Sequence, residues 1–390
     1  MKKTIKFLYN LFVGCFLLLD FYFFEQKKIK EAEVVCFFPF YHTGGAEKVH
    51  SQIVASLNTK KCVVVFTQGS ATSNFLESFK ANSMVIELNS IVNKRNLWVN
   101  RKLINFICSS INQSRAIKTI FSSNSPYFYG LLPLLNKDLK IVDLYHSFAQ
   151  NDNREQQLID SAIRINRRIV INQKAKNDLV RYYDKNNLDN ELTNRIEVIE
   201  NAVVIPEILL KKNNKNLVIG FVGRWSEEKR PEVYLNIVAN LRLKFPEIKF
   251  IMAGSGMAAN LEFIKKCGAE YIGDLFKEQQ ITALYEGLDL LLVPSVYEGF
   301  PMVIMEAMSY GVIPITTDVG GISEHITNGE NGYLISKNTN EELVDSFCET
   351  IILLQKNNNL KKQLSVQSYI YAKDHFSLER FNQEYQNLLA

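Results

Sequence analysis

Cysteine is sparse in this chain and nowhere paired. Cys15, Cys36, Cys62, Cys108, Cys267 and Cys348 are scattered, with no C-x-x-C pair and no histidine at metal-ligand spacing. That excludes a zinc site or a disulfide framework and fits reduced, mostly buried thiols in a cytosolic compartment. Nine prolines and 18 glycines are too few for collagen-like or low-complexity character. Lys and Arg form no block with interleaved aromatics, so no nucleic-acid partner is expected. The stretch FYFFEQKKIK that ends the apolar N-terminus offers no small-residue cleavage site, so a secretory signal peptide is not expected either.

What is present reads as an ordinary globular chain. Hydrophobic residues make up 47% and charged residues 22% of 390 residues, a length that favours two domains. Charge is unevenly placed: residues 1–200 carry 27 Lys/Arg and 18 Asp/Glu, whereas 201–390 carry 18 and 23. A basic first half suggests an anionic partner, a membrane surface or a charged substrate.

Lys2, Lys3 and Lys6 precede an aromatic-rich stretch from Phe7 to Phe24, interrupted by Asn10 and Asp20 and followed by Lys27, Lys28 and Lys30. As a helix the stretch would be about 27 Å long, marginal against a bilayer core of about 30 Å. Residues 1–30 are therefore expected to associate with a membrane. Spanning it, lying in its interface and packing on the domain all remain open. A second basic, amphipathic segment, NKRNLWVNRKLINF, sets Lys94, Arg95, Arg101 and Lys102 beside Leu97, Trp98, Leu103 and Phe106, and reads equally as a lipid-facing or a core-packing helix.

Beyond it, strands and helices alternate. The apolar runs VVCFFP, KCVVVF, SMVIEL, IKTIFS, KIVDLY and RIVIN read as buried parallel strands, with helical patterns such as EKVHSQIVASL and KAKNDLVRYY between them. The rhythm resumes with LVIGFVG, IKFIMAG, DLLLVP, VIPITT and GYLI after the polar break VVIPEILLKKNNKN. Two doubly wound α/β domains follow, over 31–205 and 206–370, with 371–390 as a helix returning to the first. Each places its working loops at the carboxyl ends of its strands.

The segment PSVYEGFPMVIMEAMSYGVIPITTDVGG, Pro294 to Gly321, carries the chemistry. A strand runs into a loop holding Glu298 and Gly299, then into a helix beginning near Pro301, whose free amides would make an anion site. Glu306 follows Glu298 by eight positions, about 12 Å if helical, wider than the roughly 5–9.5 Å between glycosidase carboxylates. These glutamates are expected to hold two ends of one extended ligand, with a diphosphate between them.

The segment resembles the E-x7-E signature of retaining glycosyltransferases, family 4, which have the GT-B architecture of two Rossmann-like domains facing across a cleft. GFVGRWSEEKRP resembles the family's first strand and loop of the second domain, placing Arg224 and Lys229 at the donor diphosphate. HTGGAEKVH resembles the glycine loop over the sugar phosphate, with Gly44 and Gly45 matching. The histidine ending DLYHS resembles the family's N-domain active-site histidine, giving His146. IEVIENAVVIP resembles the hinge that usually reads N-G-V, although Ala202 replaces the glycine and Asn172 stands where a serine is common. Taken singly, Gly44 and Gly45 read as a turn, His146 as structural, Arg224 and Lys229 as a solvated face and Glu306 as a helix salt bridge. Their shared order on strand-end loops and the adjacent helix matches the family.

The resemblance implies a hexose-type nucleotide-sugar donor on the second domain. Glu298 and the backbone of Gly299, Phe300 and Pro301 would hold the sugar, Val303 would line the same site and Glu306 would bind ribose. A glycan or lipid-linked acceptor would lie near His146, in cell-surface polysaccharide or glycolipid synthesis at the cytoplasmic face of a membrane. GSGMAA, from Gly254 to Ala259 with Asp274 beyond, imitates a dinucleotide fingerprint. It stands in the second βα unit of its domain, where the family's loop approaches the nucleotide base, and Gly254 is placed there. D-x-D occurs nowhere. The resemblance therefore implies no metal and no other cofactor, with Arg224, Lys229 and the helix start stabilising the leaving diphosphate. Two rivals stay open: another GT-B enzyme, an epimerase or phosphorylase, and an inactive membrane-bound scaffold.

Overall fold

Short runs of β-branched and aromatic residues, apolar on both faces, need cover on both sides, and helices in the connections supply it. The computed structural model describes residues 12–42, 44–57, 60–92, 97–146, 154–210, 212, 215–337 and 339–390. The Lys2–Leu11 part of the N-terminal stretch, Lys94, Arg95 and the side chain of Leu97 lie outside the described residues. The chain divides into two compact units, one of residues 1–171, 176–199 and 382–390, the other of 172–175 and 200–381.

In the first unit β1 (Val34–Phe38), β2 (Cys62–Phe66), β3 (Met84–Glu87), β4 (Thr119–Ser123), β5 (Lys140–Tyr145), β6 (Arg167–Val170) and β7 (Ile196–Val198) form one sheet. Its order is β3-β2-β1-β4-β5-β6-β7, parallel throughout. The sequence reading lacks β7, whose three residues are too short to show a pattern. In the second unit β8 (Val218–Val222), β9 (Lys249–Ala253), β10 (Glu270–Tyr271), β11 (Leu290–Val293), β12 (Ile313–Thr317) and β13 (Tyr333–Ile335) run in the order β10-β9-β8-β11-β12-β13, again all parallel.

Each order reverses direction once, between β1 and β4 and between β8 and β11. At such a switch point the loops leaving the carboxyl ends of neighbouring strands diverge and open a crevice, where ligands bind in open α/β sheets. The loops after β8 and β11 are those carrying Arg224 and Lys229, and Glu298. The topology therefore brings two distant motifs to one edge of one sheet.

Three boundaries differ from the expectation. The passage between units falls at Ile199–Glu200 instead of 205–206, because Val203 is already tied to the second unit through Val203 N–H to Phe376 O, 3.1 Å. Residues 371–381 stay with the second unit, and only Asn382–Ala390 join the first. There Gln386 donates to Ser56 O (2.8 Å), and buried Tyr385 meets Phe121 edge-on. Residues 12–31 are no separate segment: Leu18, Phe21 and Ile29 are buried in the first unit's core. In the second basic segment Leu103 is likewise buried and Phe106 is packed against the core, so that helix is only partly lipid-accessible.

Candidate active site

The second unit supplies the denser constellation. Glu298 sits in the loop after β11 and is 7% exposed. A carboxylate so enclosed needs partners, and it has two: Lys229 Nζ donates to Oε1 at 2.6 Å and Ser295 Oγ donates to the same oxygen at 2.7 Å. The loops that carry Lys229 and Glu298 are stitched by Val296 N–H to Glu228 O, 2.8 Å. Lys229 reaches inward because Arg230 takes the left-handed conformation (φ 50°) that ends its loop, and Pro231 opens the helix Pro231–Arg242. Arg224, at the mouth of the same loop, is exposed and makes no hydrogen bond or ion pair among the described residues. Structure and sequence agree in placing both cations on one loop, but they are not side by side in role: one is paired, the other open to solvent.

Two glycines hold the backbone in this shape. Gly320 has φ +63°, and a Cβ there would collide with the carbonyl oxygen of Glu298. The adjoining Gly321 N–H donates to Gly299 O at 2.7 Å, so the loop after β12 presses directly on the Glu298–Gly299 backbone. Gly254 has φ +126°, and a Cβ on it would strike the Gly223 carbonyl, while Trp225 N–H donates to Ser255 O at 2.8 Å. Gly254 thus lets the loops after β8 and β9 touch through their backbones, which explains the glycine without a dinucleotide fingerprint.

Pro301 is the residue before the helix, not its first residue. Its ψ of 134° is extended, and the helix is Met302–Ser309. Glu306 therefore stands little more than one turn, about 6 Å, past the helix start. The 12 Å obtained by counting every residue from Glu298 as helical does not apply, because the loop contributes extended backbone. Phe300 turns its ring inward, buried at 4.3 Å from His325 and 5.4 Å from Phe376 between ring centroids, so only its backbone is left for a ligand. Val303 and Glu306 are half-buried on one face, three residues apart.

Glu306 has a partner that the sequence does not announce. Tyr285, fully buried on the helix Glu278–Gly287, donates its hydroxyl to Glu306 Oε2 at 2.8 Å. Burial, followed by the Glu306 charge, holds the Tyr285 hydroxyl well above the ordinary tyrosine range, so it stays a donor. Tyr285, Ser295 and Gly320 are site residues that sequence reasoning misses. Only the Gly-Gly doublet ending VIPITTDVGG is a visible signal, of a backbone needing positive φ.

In the first unit the glycine pair stands at the start of a helix. Gly44 precedes the helix Gly45–Ser56, its carbonyl accepting from Lys48 N–H at 3.1 Å. The helix carries His50, fully buried and stacked on Phe38 at 4.3 Å. His146, directly after β5, brings its Nε2 to 3.1 Å from His50 Nε2. Burial, and then the Arg154 guanidinium, lower His146 to about 4; burial, and then His146, lower His50 well below its ordinary value. Both imidazoles are neutral near pH 7, and one of the two Nε2 atoms must donate to the other. His50 is a further residue that the sequence reading leaves out. Asn172, which the sequence reading places where a serine is common and which belongs to the second unit, accepts from Ala175 N–H at 2.7 Å and so caps the helix Gln173–Lys185.

Among the described residues no three His, Cys, Asp or Glu side chains converge as metal ligands.

Residues 207–369 match the family described as glycosyl transferases group 1. A D-inositol 3-phosphate glycosyltransferase of Corynebacterium diphtheriae is 30% identical over 206 residues, 46% of each chain. An uncharacterized glycosyltransferase of Methanocaldococcus jannaschii is 31% identical over 200 residues, 51% of this chain and 54% of its own. The match therefore spans about half the length of these relatives. In fold, Anabaena Alr3699/HepE, solved with UDP-glucose, superposes with a TM-score of 0.70 over 91% of this chain and 99% of its own at 17% identity. A glycosyltransferase from Rickettsia africae does so with a TM-score of 0.70 over 92% and 98% at 16% identity.

Proposed function

We propose that this chain, whose residues 207–369 match the group 1 glycosyl transferases and whose fold is that of GT-B structures, is a retaining glycosyltransferase. It moves a hexose-type sugar from a nucleoside-diphosphate donor to a glycan or lipid-linked acceptor. The observation that carries this reading is the Lys229–Glu298 pair, 2.6 Å apart on two loops at the switch point of the second sheet.

In this reading the donor diphosphate takes Lys229 away from Glu298 and is flanked by exposed Arg224. The amides at the start of Met302–Ser309 complete an anion site with no metal required. Glu298, its charge no longer neutralised by Lys229, faces the sugar, where positive character builds at the anomeric carbon as the leaving diphosphate departs. Glu306 accepts from the ribose hydroxyls, oriented by Tyr285. The loop containing Gly254 borders the base. In the first unit Gly44 and Gly45 close on the sugar phosphate, and His146, a neutral imidazole, serves the acceptor side. A UDP-sugar is supported by the Anabaena neighbour's bound UDP-glucose. The basic first half and the aromatic N-terminus support work at the cytoplasmic face of a membrane, in polysaccharide or glycolipid synthesis.

The test is a thermal-shift panel of UDP- and GDP-sugars in the presence of chelator. A donor at a hundred times its dissociation constant adds about 2.7 kcal/mol to stability. A shift for one nucleotide sugar, abolished by Arg224→Ala with Lys229→Met, is expected. No shift for any donor, or a shift appearing only with a divalent ion, contradicts the proposal.

A further inference from the structure

One helical segment, residues 12–31, lies against the first unit with its two sides in opposite environments. Leu18, Phe21 and Ile29 are in the core, and Gly14 lets the segment come so close to Val99 that a Cβ would lie 2.7 Å from its methyl. On the outer side Phe12, Phe16, Leu19, Phe23 and Phe24, with Trp98 of the neighbouring helix, are each 50–75% exposed. Phe12, Phe16, Leu19 and Phe23 follow the four-three-four spacing of one helix stripe. A π-helical turn at Phe21–Glu25, closed by Gln26 N–H to Phe21 O, adds a residue to the stripe and turns Phe24 outward as well. A monomer rarely leaves so much contiguous aromatic surface without a partner.

The charges beside the ridge say which partner fits. Arg101 and Lys102 are exposed one helical turn beyond Trp98, and the Lys102 ammonium stands 5.8 Å from the Trp98 ring centroid. Lys30 is exposed further along the N-terminal segment. Asp20 and Glu31 are the exposed acids of this segment; Glu31 faces Lys27 at 3.8 Å. Rings that sit at headgroup depth, flanked by cations that reach phosphates, match an anionic lipid surface.

We propose that this ridge seats the first unit in the interface of an anionic bilayer, lying in it without crossing it. The proposal rests on the membrane setting inferred above and goes beyond it by naming the face and its orientation. Among the described residues no helix is long and apolar enough to cross a membrane, and the inner side of the segment belongs to the core. The helix Leu97–Gln113 runs antiparallel to the strand it feeds, β4, so Trp98 lies toward the carboxyl edge of the sheet. Residues 12–31 run in the same direction: Gly14 meets Val99 at one end, and Ser114 Oγ donates to Lys30 O (3.0 Å) at the other. Phe12, Phe16 and Trp98 therefore lie toward the edge that carries Gly44, Gly45 and His146, and docking brings that edge to the lipid headgroups, where a lipid-linked acceptor exposes its sugar.

The experiment is co-sedimentation of the full chain with phosphatidylcholine vesicles and with phosphatidylcholine–phosphatidylglycerol vesicles. Point substitutions are used because deleting the segment would strip core side chains. The expected result is binding to the anionic vesicles, released by alkaline carbonate and lost in Phe16→Glu with Phe23→Glu, at an unchanged melting temperature. Arg101→Gln with Lys102→Gln should lower partitioning about thirtyfold, at roughly 1 kcal/mol for each cation near the surface. No binding by the unaltered chain, binding that survives the glutamate pair, or resistance to carbonate overturns the proposal. So does a concentration-dependent dimer that the glutamate pair abolishes, since a second copy would then be the occupant. Vesicle binding is read without sugar transfer, so an inactive yet lipid-binding chain would refute the enzymatic reading alone.

Discussion

Lys229 Nζ and Glu298 Oε1, 69 residues apart in sequence, meet at 2.6 Å in a pocket where the carboxylate is almost fully enclosed. Removing one partner of a pair this enclosed leaves an uncompensated charge, so in the proposed mechanism a bound diphosphate has to replace Glu298 as the partner of Lys229. In that mechanism each member orients the other until a donor diphosphate competes for the lysine.

That competition predicts a non-additive mutant cycle. Glu298→Gln should lower kcat by about 10²-fold or more, as for other groups that stabilise developing charge. Lys229→Met should cost a similar factor and also destabilise the fold, since it leaves a carboxylate enclosed without its cation. Steady-state kinetics of both and of the double variant should show coupling of about 0.5–3 kcal/mol. Strict additivity would mean that the two act independently.

Glu306 and Tyr285 should fail differently. A ribose contact is equal in ground and transition states, so Glu306→Gln should chiefly raise the donor KM, with a loss of roughly 1.5–3 kcal/mol. Tyr285→Phe removes one oriented donor and should raise the same KM by a smaller step, about 0.5–1.5 kcal/mol. A fall in kcat matching that of Glu298→Gln would show that Glu306 serves the sugar instead.

Gly320→Ala tests the loop that props Glu298. Its φ of +63° and the collision of a Cβ with the Glu298 carbonyl oxygen leave alanine no unstrained placement. Stability should fall by roughly 1–3 kcal/mol, read as a lower melting temperature. Donor affinity should fall with it. Gly329→Ala serves as the control: its φ is also positive, but nothing lies within 4 Å, so it should lose stability alone.

His146 gives stability a pH dependence with a defined sign. Its folded value of about 4 lies below the ordinary 6.5, so on acidification the unfolded chain takes up the proton first. Its contribution is complete above about pH 6.5 and is lost as pH falls toward 4. The melting temperature of His146→Gln should therefore decline less than that of the unaltered protein over that window. Parallel curves would place the histidine in solvent.

Much of this was legible in the sequence because strand-end loops carry their chemistry locally. GFVGRWSEEKRP and PSVYEGFP each contain strand, turn and charged residue within a dozen positions, and the alternation of apolar runs was enough to give two doubly wound units. What failed to show was tertiary. Tyr285 looks like any aromatic on an amphipathic helix until β11 and its loop bring Glu306 beside it. His50 reads as one polar residue in a buried helix face, and its role exists only because β5 ends next to it. The N-terminal stretch misled in the opposite way: its hydrophobicity is real, but Leu18 and Phe21 serve the protein core, which a linear count of apolar residues cannot reveal.

The central claim is retention during transfer from a nucleotide sugar, and the stereochemistry of the product tests it most directly. The full chain is incubated in chelator with the donor selected by the thermal-shift panel and a glycan acceptor, and the new glycosidic linkage is assigned by proton NMR before any mutarotation can occur. The account predicts a linkage of the same anomeric configuration as the donor. A linkage of inverted configuration, or a product formed only after a divalent ion is restored, would contradict it.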